Sequence, residues 1–392
     1  MLQQLLGYTT PCYLSEHRRV SLITNLPAAL QFKSEPQKIL VVLPTWVGDV
    51  VMATPFLASL HKRFAKANFT FVMYKHLQSV LAGSPWLGQV ATWPTKGKTP
   101  QHKKAKAEFV KTLQQEHFDL AVLLPNSFSS AWLAFRCGAK RRVGFNRDGR
   151  GLLLTDRIRV PNKRPNRKEA PNPGPFEPMP LVEYYAVLAA ALGCEPPGDQ
   201  MQLVIQEEDD QHLDELLLAA GMDQSKPLVT LCPGANFGAS KCWAPERFAE
   251  VADLLVKEFD AAVAISPGPG EEPLARAIAS AMQQPHLLLD NPCITLGELK
   301  SLIARSDLLL GNDTGPRHFA RAFDIHRVTV FGPTEERWTD TSHGKETIVR
   351  VQVPCGPCHQ KVCPLERQVC MEDVTVKMVF AACQHELAAY RK

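Results

Sequence analysis

The chain is poor in several features that would have decided its class at once. No run of about 18 apolar residues occurs among its 392 residues, so no helix is expected to cross a bilayer. Met1 to Gly7 lack a basic start followed by a long apolar core, so no secretory signal is expected. Charge of one sign is also lacking. The 44 Lys and Arg against 40 Asp and Glu leave +4, too little to imply a nucleic-acid partner. No G-x-G-x-x-G follows the first strand-turn-helix pattern, which weighs against a nicotinamide enzyme. The 11 cysteines are odd in number and not spread as a secreted disulfide framework would be. They fit reduced thiols in a cytosol.

What is present is globular: 45% of residues are apolar. The length exceeds one ordinary core and favours two domains. Residues 1–37 read as an irregular extension to which the sequence assigns no function. From Lys38 the grammar becomes regular. Ile39-Leu40-Val41-Val42-Leu43 is a continuous aliphatic run, the signature of a parallel strand covered on both faces. The turn Pro44–Asp49 and a helix over 50–64 follow. Strands are expected at 69–73, 120–124 and 141–145, and helices at 76–81, 109–115 and 130–135. The Pro-, Asn- and charge-rich stretch 161–180 reads as a surface loop, and a helix over 181–192 closes this half. The second half repeats the pattern, with strands at 228–232, 261–266, 308–310 and 328–331. Alternating strand and helix implies α/β, doubly wound parallel sheets. The expected domains are 38–200 and 201–392, with a cleft between their strand ends for ligands.

Four strand-end turns carry candidate chemistry. Asp49 is the only carboxylate of its turn; it either caps the following helix or serves as a general base. Lys241 sits among Asn236, Gly238 and Ser240, as a phosphate ligand or an exposed loop lysine. Glu271 follows Gly268-x-Gly270 after a strand, where a carboxylate can accept from ribose hydroxyls. The fourth turn, Gly311-Asn312-Asp313-Thr314-Gly315-Pro316-Arg317-His318-Phe319-Ala320, opens a helix and suits a phosphate. Asp313 is its expected N-cap, Pro316 fits a first helical turn, and Gly315 permits close backbone approach. His318 lies one turn beyond Thr314 on the same face, as a ligand or a structural histidine. Cys355-x2-Cys358-x4-Cys363-x6-Cys370 has a spacing compatible with zinc, with packed thiols or one disulfide as the alternative.

Together these turns resemble the lipopolysaccharide heptosyltransferases, glycosyltransferase family 9, and within it the heptosyltransferase II branch. The resemblance rests on Pro44-Thr45-Trp46-Val47-Gly48-Asp49 and on Pro233-Gly234-Ala235-x-Phe237-Gly238-x-x-Lys241-x-Trp243. It rests also on Asn312-Asp313-Thr314-Gly315-x-x-His318-x-Ala320 closing on Phe331-Gly332-Pro333-Thr334, and on the cysteine-rich end. It covers roughly residues 38–380. It implies a GT-B fold of two Rossmann-like domains facing a cleft. It also implies an inverting, metal-independent transfer of heptose from ADP-heptose to a heptose of the lipopolysaccharide inner core, with no cofactor. By position, Asp49 would be the base, and Lys241 would hold the diphosphate with N–H groups of Thr314 and Gly315. Asp313 would contact the donor sugar, with His318 also placed on the donor side. Glu271 would hold the ribose, Ile294 would lie by the adenine, and Asn236 would be a small polar donor contact. Thr45, Trp46 and the basic residues Arg136, Arg141 and Arg142 are assigned to a phosphorylated acceptor. The enzyme would work in the cytoplasm, in peripheral contact with the inner membrane. A different nucleotide sugar or acceptor, or a silent member that only binds nucleotide or glycolipid, are the other readings.

Overall fold

The computed structural model describes residues 26–94, 97, 99–159, 177–340 and 344–390. Residues 1–25 of the extension and most of the expected 161–180 loop lie outside them. Two compact units emerge, 26–159 with 179–204, and 177–178 with 205–340 and 344–390.

The amino-terminal unit runs β1 (Lys38–Val42), α1 (Val47–Arg63), β2 (Asn68–Met73), α2 (Gln78–Leu81), β3 (Gln89–Thr92), α3 (Pro100–Gln115), β4 (Leu120–Leu123), α4 (Phe128–Arg136), β5 (Arg141–Phe145), β6 (Asp156–Ile158) and α5 (Leu181–Ala191). Its sheet is parallel throughout, in the order β3-β2-β1-β4-β5-β6. Ile39, Leu40 and Val41 are fully buried, as are Leu120, Ala121 and Val122. That is why these strands read as unbroken aliphatic runs rather than alternating ones.

The carboxy-terminal unit continues with α6 (Glu207–Ala219), β7 (Leu228–Cys232), α7 (Pro245–Phe259), β8 (Ala262–Ile265), α8 (Glu272–Ala281), β9 (Leu287–Leu288), α9 (Leu296–Ala304), β10 (Leu308–Asn312), α10 (Pro316–Ala322), β11 (His326–Val330), β12 (Glu346–Val349), α11 (Val369–Glu372) and α12 (Val376–Tyr390). Its parallel sheet is ordered β12-β11-β10-β7-β8-β9. Read from the other edge, this is the order of the first sheet. Each unit therefore has one switch point where strand order reverses, between β1 and β4 and between β7 and β10. In doubly wound sheets, ligands bind just outside the carboxyl ends of the strands at that point.

Four strands escaped the sequence pattern: β3, β6, β9 and β12. All four are sheet edges. Edge strands are short and only partly apolar, so they leave a weak hydrophobic run. Helix α3 starts at Pro100 rather than 109, because its first residues are lysine-rich and carry no apolar stripe. Thr99 caps it, its side chain accepting from His102 N, and Pro100 sets its first turn. The closing helix α12 was also unforeseen. Val379, Ala382, Cys383 and Leu387 bury its inner face in the core. Among the described residues, no helix is long and apolar enough to cross a membrane.

Candidate functional site

In the carboxy-terminal unit the chain leaves β7 into Pro233–Lys241 and leaves β10 into Asp313–Gly315, so both turns border the switch point. Asn312, 1% exposed, ties them together. Its amide Nδ2 donates to the Pro233 carbonyl and its Oδ1 accepts from Trp243 N at 3.2 Å. Trp243 is buried in the core and donates Nε1 to the Val374 carbonyl at 2.9 Å.

Lys241 and Asp313 meet across this junction. The Lys241 ammonium pairs with the Asp313 carboxylate and also donates to the Asp313 carbonyl at 3.1 Å. Phe237 lies under the same ammonium, its ring centroid 5.0 Å away. Thr334 Oγ1 donates to the Asp313 carboxylate at 2.8 Å, and Arg317 Nη1 approaches it at 3.4 Å. Arg317 is buried and turned inward. Its Nε donates to Glu346 at 2.6 Å and its Nη1 to Thr339 Oγ1 at 2.7 Å. Arg327 and Thr329 donate to Glu346 as well, at 3.0 Å and 2.8 Å. The result is a chain of alternating charge, Lys241–Asp313–Arg317–Glu346–Arg327, running from the turn into the core. Burial alone would raise the Asp313 pKa, but the Lys241 and Arg317 charges overcome it and hold the carboxyl below its usual range. Glu346 is held low in the same way, against burial, by Arg317 and Arg327.

Asp313 is thus no N-cap. Gly315 occupies the N-cap position of α10, without a side-chain bond, and Pro316 stands in the first turn as expected. His318 is 3% exposed, and its Nδ1 has no hydrogen-bond partner among the described residues. Burial, then the Arg317 charge, push its pKa down to about 3. The ring is neutral at physiological pH, so it brings no positive charge to an anion. Thr314 is half-buried and Asn236 exposed, each in its turn, while Ile294 is buried.

Glu271 stands at the start of α8 and accepts from Gly268 N at 2.8 Å. Its carboxylate lies so close over Gly234 that a Cβ there would sit 1.8 Å from Oε2. Burial raises its pKa, opposed by the Gly268 N–H, with Glu272 adding to the rise. A glycine at 234 is therefore the condition for bringing this acceptor-rich group over the β7 turn.

The turn that carries Lys241 is clamped from behind by the cysteine-rich segment. Ser240 N donates to Lys361 O at 3.2 Å, Ser240 Oγ to Gln360 O at 2.6 Å, and the Gln368 amide to Ser240 O. A Cβ at Gly238 would meet Lys361 O at 2.4 Å. Cys355, Cys358, Cys363 and Cys370 line a cavity of about 240 Å³ beside it. All four thiols are free, and no group of three His, Cys, Asp or Glu among the described residues is placed to hold a metal.

In the amino-terminal unit the turn after β1 delivers Thr45, Trp46 and Asp49 to the switch point. Trp46, 45% exposed, is the N-cap position of α1, and Asp49 is the third helical residue rather than the cap. Asp49 is half-buried near Tyr185 of α5. The Tyr185 phenol is buried and titrates well above its ordinary value, from burial first and then from the Asp49 charge. At the neighbouring end of β4, Asn126 Oδ1 accepts from Tyr184 OH at 3.3 Å and Arg150 Nη2 at 3.4 Å. Arg150 is fully buried and holds this corner through Phe145 O at 2.9 Å and Ser130 Oγ at 3.1 Å.

The structure does not bring Arg136, Arg141 and Arg142 to the Asp49 turn. Arg141 and Arg142 open β5, level with Ile39 and Leu40 of β1 through β4. Leu40 precedes Thr45 by five residues, about 15 Å of strand. Arg141 is spent on Asp156, with Nε at 3.0 Å, and on Gln31 O at 2.7 Å. Arg142 donates to Leu153 O and Ala139 O, both at 2.7 Å. Arg136 ends α4, which starts at the carboxyl end of β4 and runs back from it. Of the basic residues between 136 and 147, Arg147 alone follows the carboxyl end of a strand. Adjacent arginines look like one patch in a sequence; strand direction separates them from the site. Thr334 and Glu346 were not foreseen as parts of the site. The Gly332-Pro333-Thr334 turn after β11 was the signal for the first, while nothing in the sequence pattern marks Glu346.

Comparison with known proteins adds to this geometry. Residues 106–368 match the family model for glycosyltransferase family 9 (heptosyltransferase); the Asp49 turn precedes the matched stretch. Lipooligosaccharide heptosyltransferase 2 of Haemophilus influenzae is 26% identical over 325 residues, covering 80% of this chain and 88% of the relative. Lipopolysaccharide heptosyltransferase 2 of Escherichia coli K12 is 26% identical over 324 residues, with the same coverages. Among solved structures, a family 9 glycosyl transferase from Veillonella parvula superposes with a TM-score of 0.73 at 20% identity, over 90% of this chain and 97% of the other. The E. coli ADP-heptose LPS heptosyltransferase II gives 0.71 at 22% identity, over 91% and 100%. The fold is of the GT-B class, as these likenesses and the paired Rossmann-order sheets both show.

Proposed function

The chain belongs to glycosyltransferase family 9, the heptosyltransferases, and from that premise we propose that it moves heptose from ADP-heptose to a heptose of the lipopolysaccharide inner core. The relatives at 26% identity that span most of its length are named lipooligosaccharide and lipopolysaccharide heptosyltransferase 2, which supports this reading. The observation that carries the reading is the Lys241–Asp313 pair at the switch point of the carboxy-terminal sheet.

In this reading the donor occupies that switch point. Lys241, with N–H groups of Thr314 and Gly315, stabilises the departing diphosphate, where negative charge grows as the glycosidic bond breaks. Asp313, already ionised, accepts from heptose hydroxyls and meanwhile keeps Lys241 in place. Glu271 accepts from the ribose, Ile294 packs near the adenine, and Asn236 offers a small polar contact. His318, neutral and buried, packs beneath the turn as support. Asp49 takes the proton from the acceptor hydroxyl as the new bond forms on the opposite face of the sugar, inverting the anomeric centre. Thr45 and Trp46 flank that acceptor at the edge of the same turn. In this reading the work is done at the cytoplasmic face of the inner membrane.

A panel of nucleotide sugars read by thermal shift tests the donor. ADP-heptose and ADP are expected to raise the melting temperature, and UDP and GDP sugars to leave it unchanged. A shift with a UDP sugar and none with ADP-heptose would sink the reading. ADP release should then require a heptosylated inner-core acceptor.

A further inference from the structure

We propose that helix α4 and the adjoining lysine-rich helix α3 form the surface by which this protein lies on an anionic lipid bilayer. The argument begins with exposure. Helix α4 buries Ser130, Ala131, Leu133 and Ala134 against its own unit. On its opposite side Phe128, Trp132 and Phe135 are 53%, 39% and 46% exposed. Their spacing of four and three residues puts them in one row on the helix. Phe128 stacks on Trp132 with ring centroids 6.3 Å apart, and Trp132 meets Phe135 at 5.8 Å. Leu152, on the short turn that packs against α4, is 88% exposed. The helix is therefore apolar on both sides, and only one side is covered by its own unit. A row of large exposed side chains of this kind marks an interaction surface.

The charges beside the row say what covers it. The Arg136 guanidinium lies 5.8 Å from the Trp132 centroid, and that of Arg142 lies 5.5 Å from Phe135. Helix α3 abuts the end of α4, with Gln114 Nε2 donating to Arg136 O at 2.7 Å. Along α3, Lys103, Lys104, Lys106 and Lys111 are all exposed, against the single acid Glu108. Lysine is depleted where proteins meet proteins. Aromatic rings at headgroup depth beside lysines and arginines are what an anionic membrane surface selects. The contact is peripheral, since no described helix can span a bilayer. It rests on the reading that the acceptor is a membrane-anchored glycolipid, and gives that reading a named surface.

The test is co-sedimentation with vesicles of phosphatidylglycerol and phosphatidylethanolamine, against vesicles of phosphatidylcholine alone. The full chain should bind the anionic vesicles at least about fivefold more tightly, and salt should weaken the binding. Trp132→Ser with Phe135→Ser should weaken it about tenfold or more, and Lys103→Gln with Lys104→Gln and Lys106→Gln should remove most of the salt dependence. ADP release with a deacylated, water-soluble acceptor should stay unchanged in both variants, which also shows that they fold. Wild-type turnover of that acceptor without vesicle binding would overturn the surface and leave the proposed reaction standing. Vesicle binding without turnover would sink the reaction and keep the surface. Equal binding by wild type and the aromatic double variant would overturn the proposal. So would a concentration-dependent dimer, seen by sedimentation, that those two substitutions abolish.

Discussion

Two sheets with one strand order carry switch points of opposite character. At the carboxy-terminal one, Asp313, Arg317 and Glu346 are buried and Lys241 half-buried, and the four are mutually paired and braced by Thr334, Thr329 and Asn312. At the amino-terminal one, a half-buried Asp49 sits beside Tyr185, while Thr45 and Trp46 are exposed. The same topology thus builds a buried, charge-dense crevice in one unit and a more open turn with a single carboxylate in the other. A nucleotide diphosphate leaving group gains negative charge in the transition state, and that charge repays preorganised partners. An acceptor needs one proton removed and little else from the turn. In the proposed mechanism the difference between the crevices is the division of labour.

The sharpest way to break the comparison is at Asp49. Asp49→Asn keeps the shape and removes the base. Turnover should fall by about 10²- to 10⁴-fold while ADP-heptose still raises the melting temperature as in the wild type. Turnover within a few-fold of wild type would remove Asp49 from the chemistry.

The complementary change is Lys241→Met. It leaves the Asp313 carboxylate buried with only Arg317 and Thr334, so it should lower both stability and ADP affinity. Removing one partner of a buried ion pair costs about 3–5 kcal/mol; the partners left to Asp313 favour the lower end. Adding Asp313→Asn should restore much of the stability, read by urea unfolding, but none of the affinity. Simple additivity of the two substitutions would mean that the pair does not act as a unit.

Less drastic is Gly234→Ala. Its Cβ and the Glu271 carboxylate cannot share the same space, so the carboxylate must swing off the β7 turn. ADP should bind about tenfold more weakly, which is about 1.4 kcal/mol. Gly268→Ala, whose Cβ would stand 3.1 Å from the same oxygen, should cost less. If ADP titrations of Gly234→Ala matched wild type, Glu271 would not be a nucleotide contact.

How much of this could be read beforehand follows from where each signal lives. The central strands β1, β4, β7 and β10 announced themselves because burial on both faces demands unbroken aliphatic runs, and the turns after them are local. Lys241 and Asp313 were each recognisable in their own turns, but their pairing was not. It depends on β7 and β10 being neighbours although 80 residues separate Cys232 from Asn312, and a one-dimensional pattern does not carry that. Glu346 is invisible for the same reason: it lies in an edge strand, and its role comes from Arg317 and Arg327 converging on it. The basic residues near 140 misled in the reverse sense. Proximity in sequence suggested one anion patch, and the direction of β5 placed Arg141 and Arg142 at the wrong end of the sheet.

The smallest effect concerns His318, and it probes whether the carboxy-terminal crevice is as dry as its burial implies. The folded protein holds this imidazole neutral down to about pH 3, while an unfolded chain protonates it near pH 6.5. A depressed folded pKa means that stability is fully present above the unfolded value and is lost as pH falls below it. Between pH 6.5 and 5 the loss approaches about 2 kcal/mol, at about 1.4 kcal/mol per unit. His318→Gln cannot take up that proton in either state. The stability gap between wild type and His318→Gln, measured by urea unfolding at pH 8, 6.5 and 5, should therefore be flat above 6.5 and move against the wild type below it. Other histidines and carboxylates titrate over the same range, but they do so in both proteins and cancel in the difference. A gap that stayed constant down to pH 5 would mean that His318 reaches water or a proton-accepting partner, and that this crevice is less closed than its amino-terminal counterpart is open.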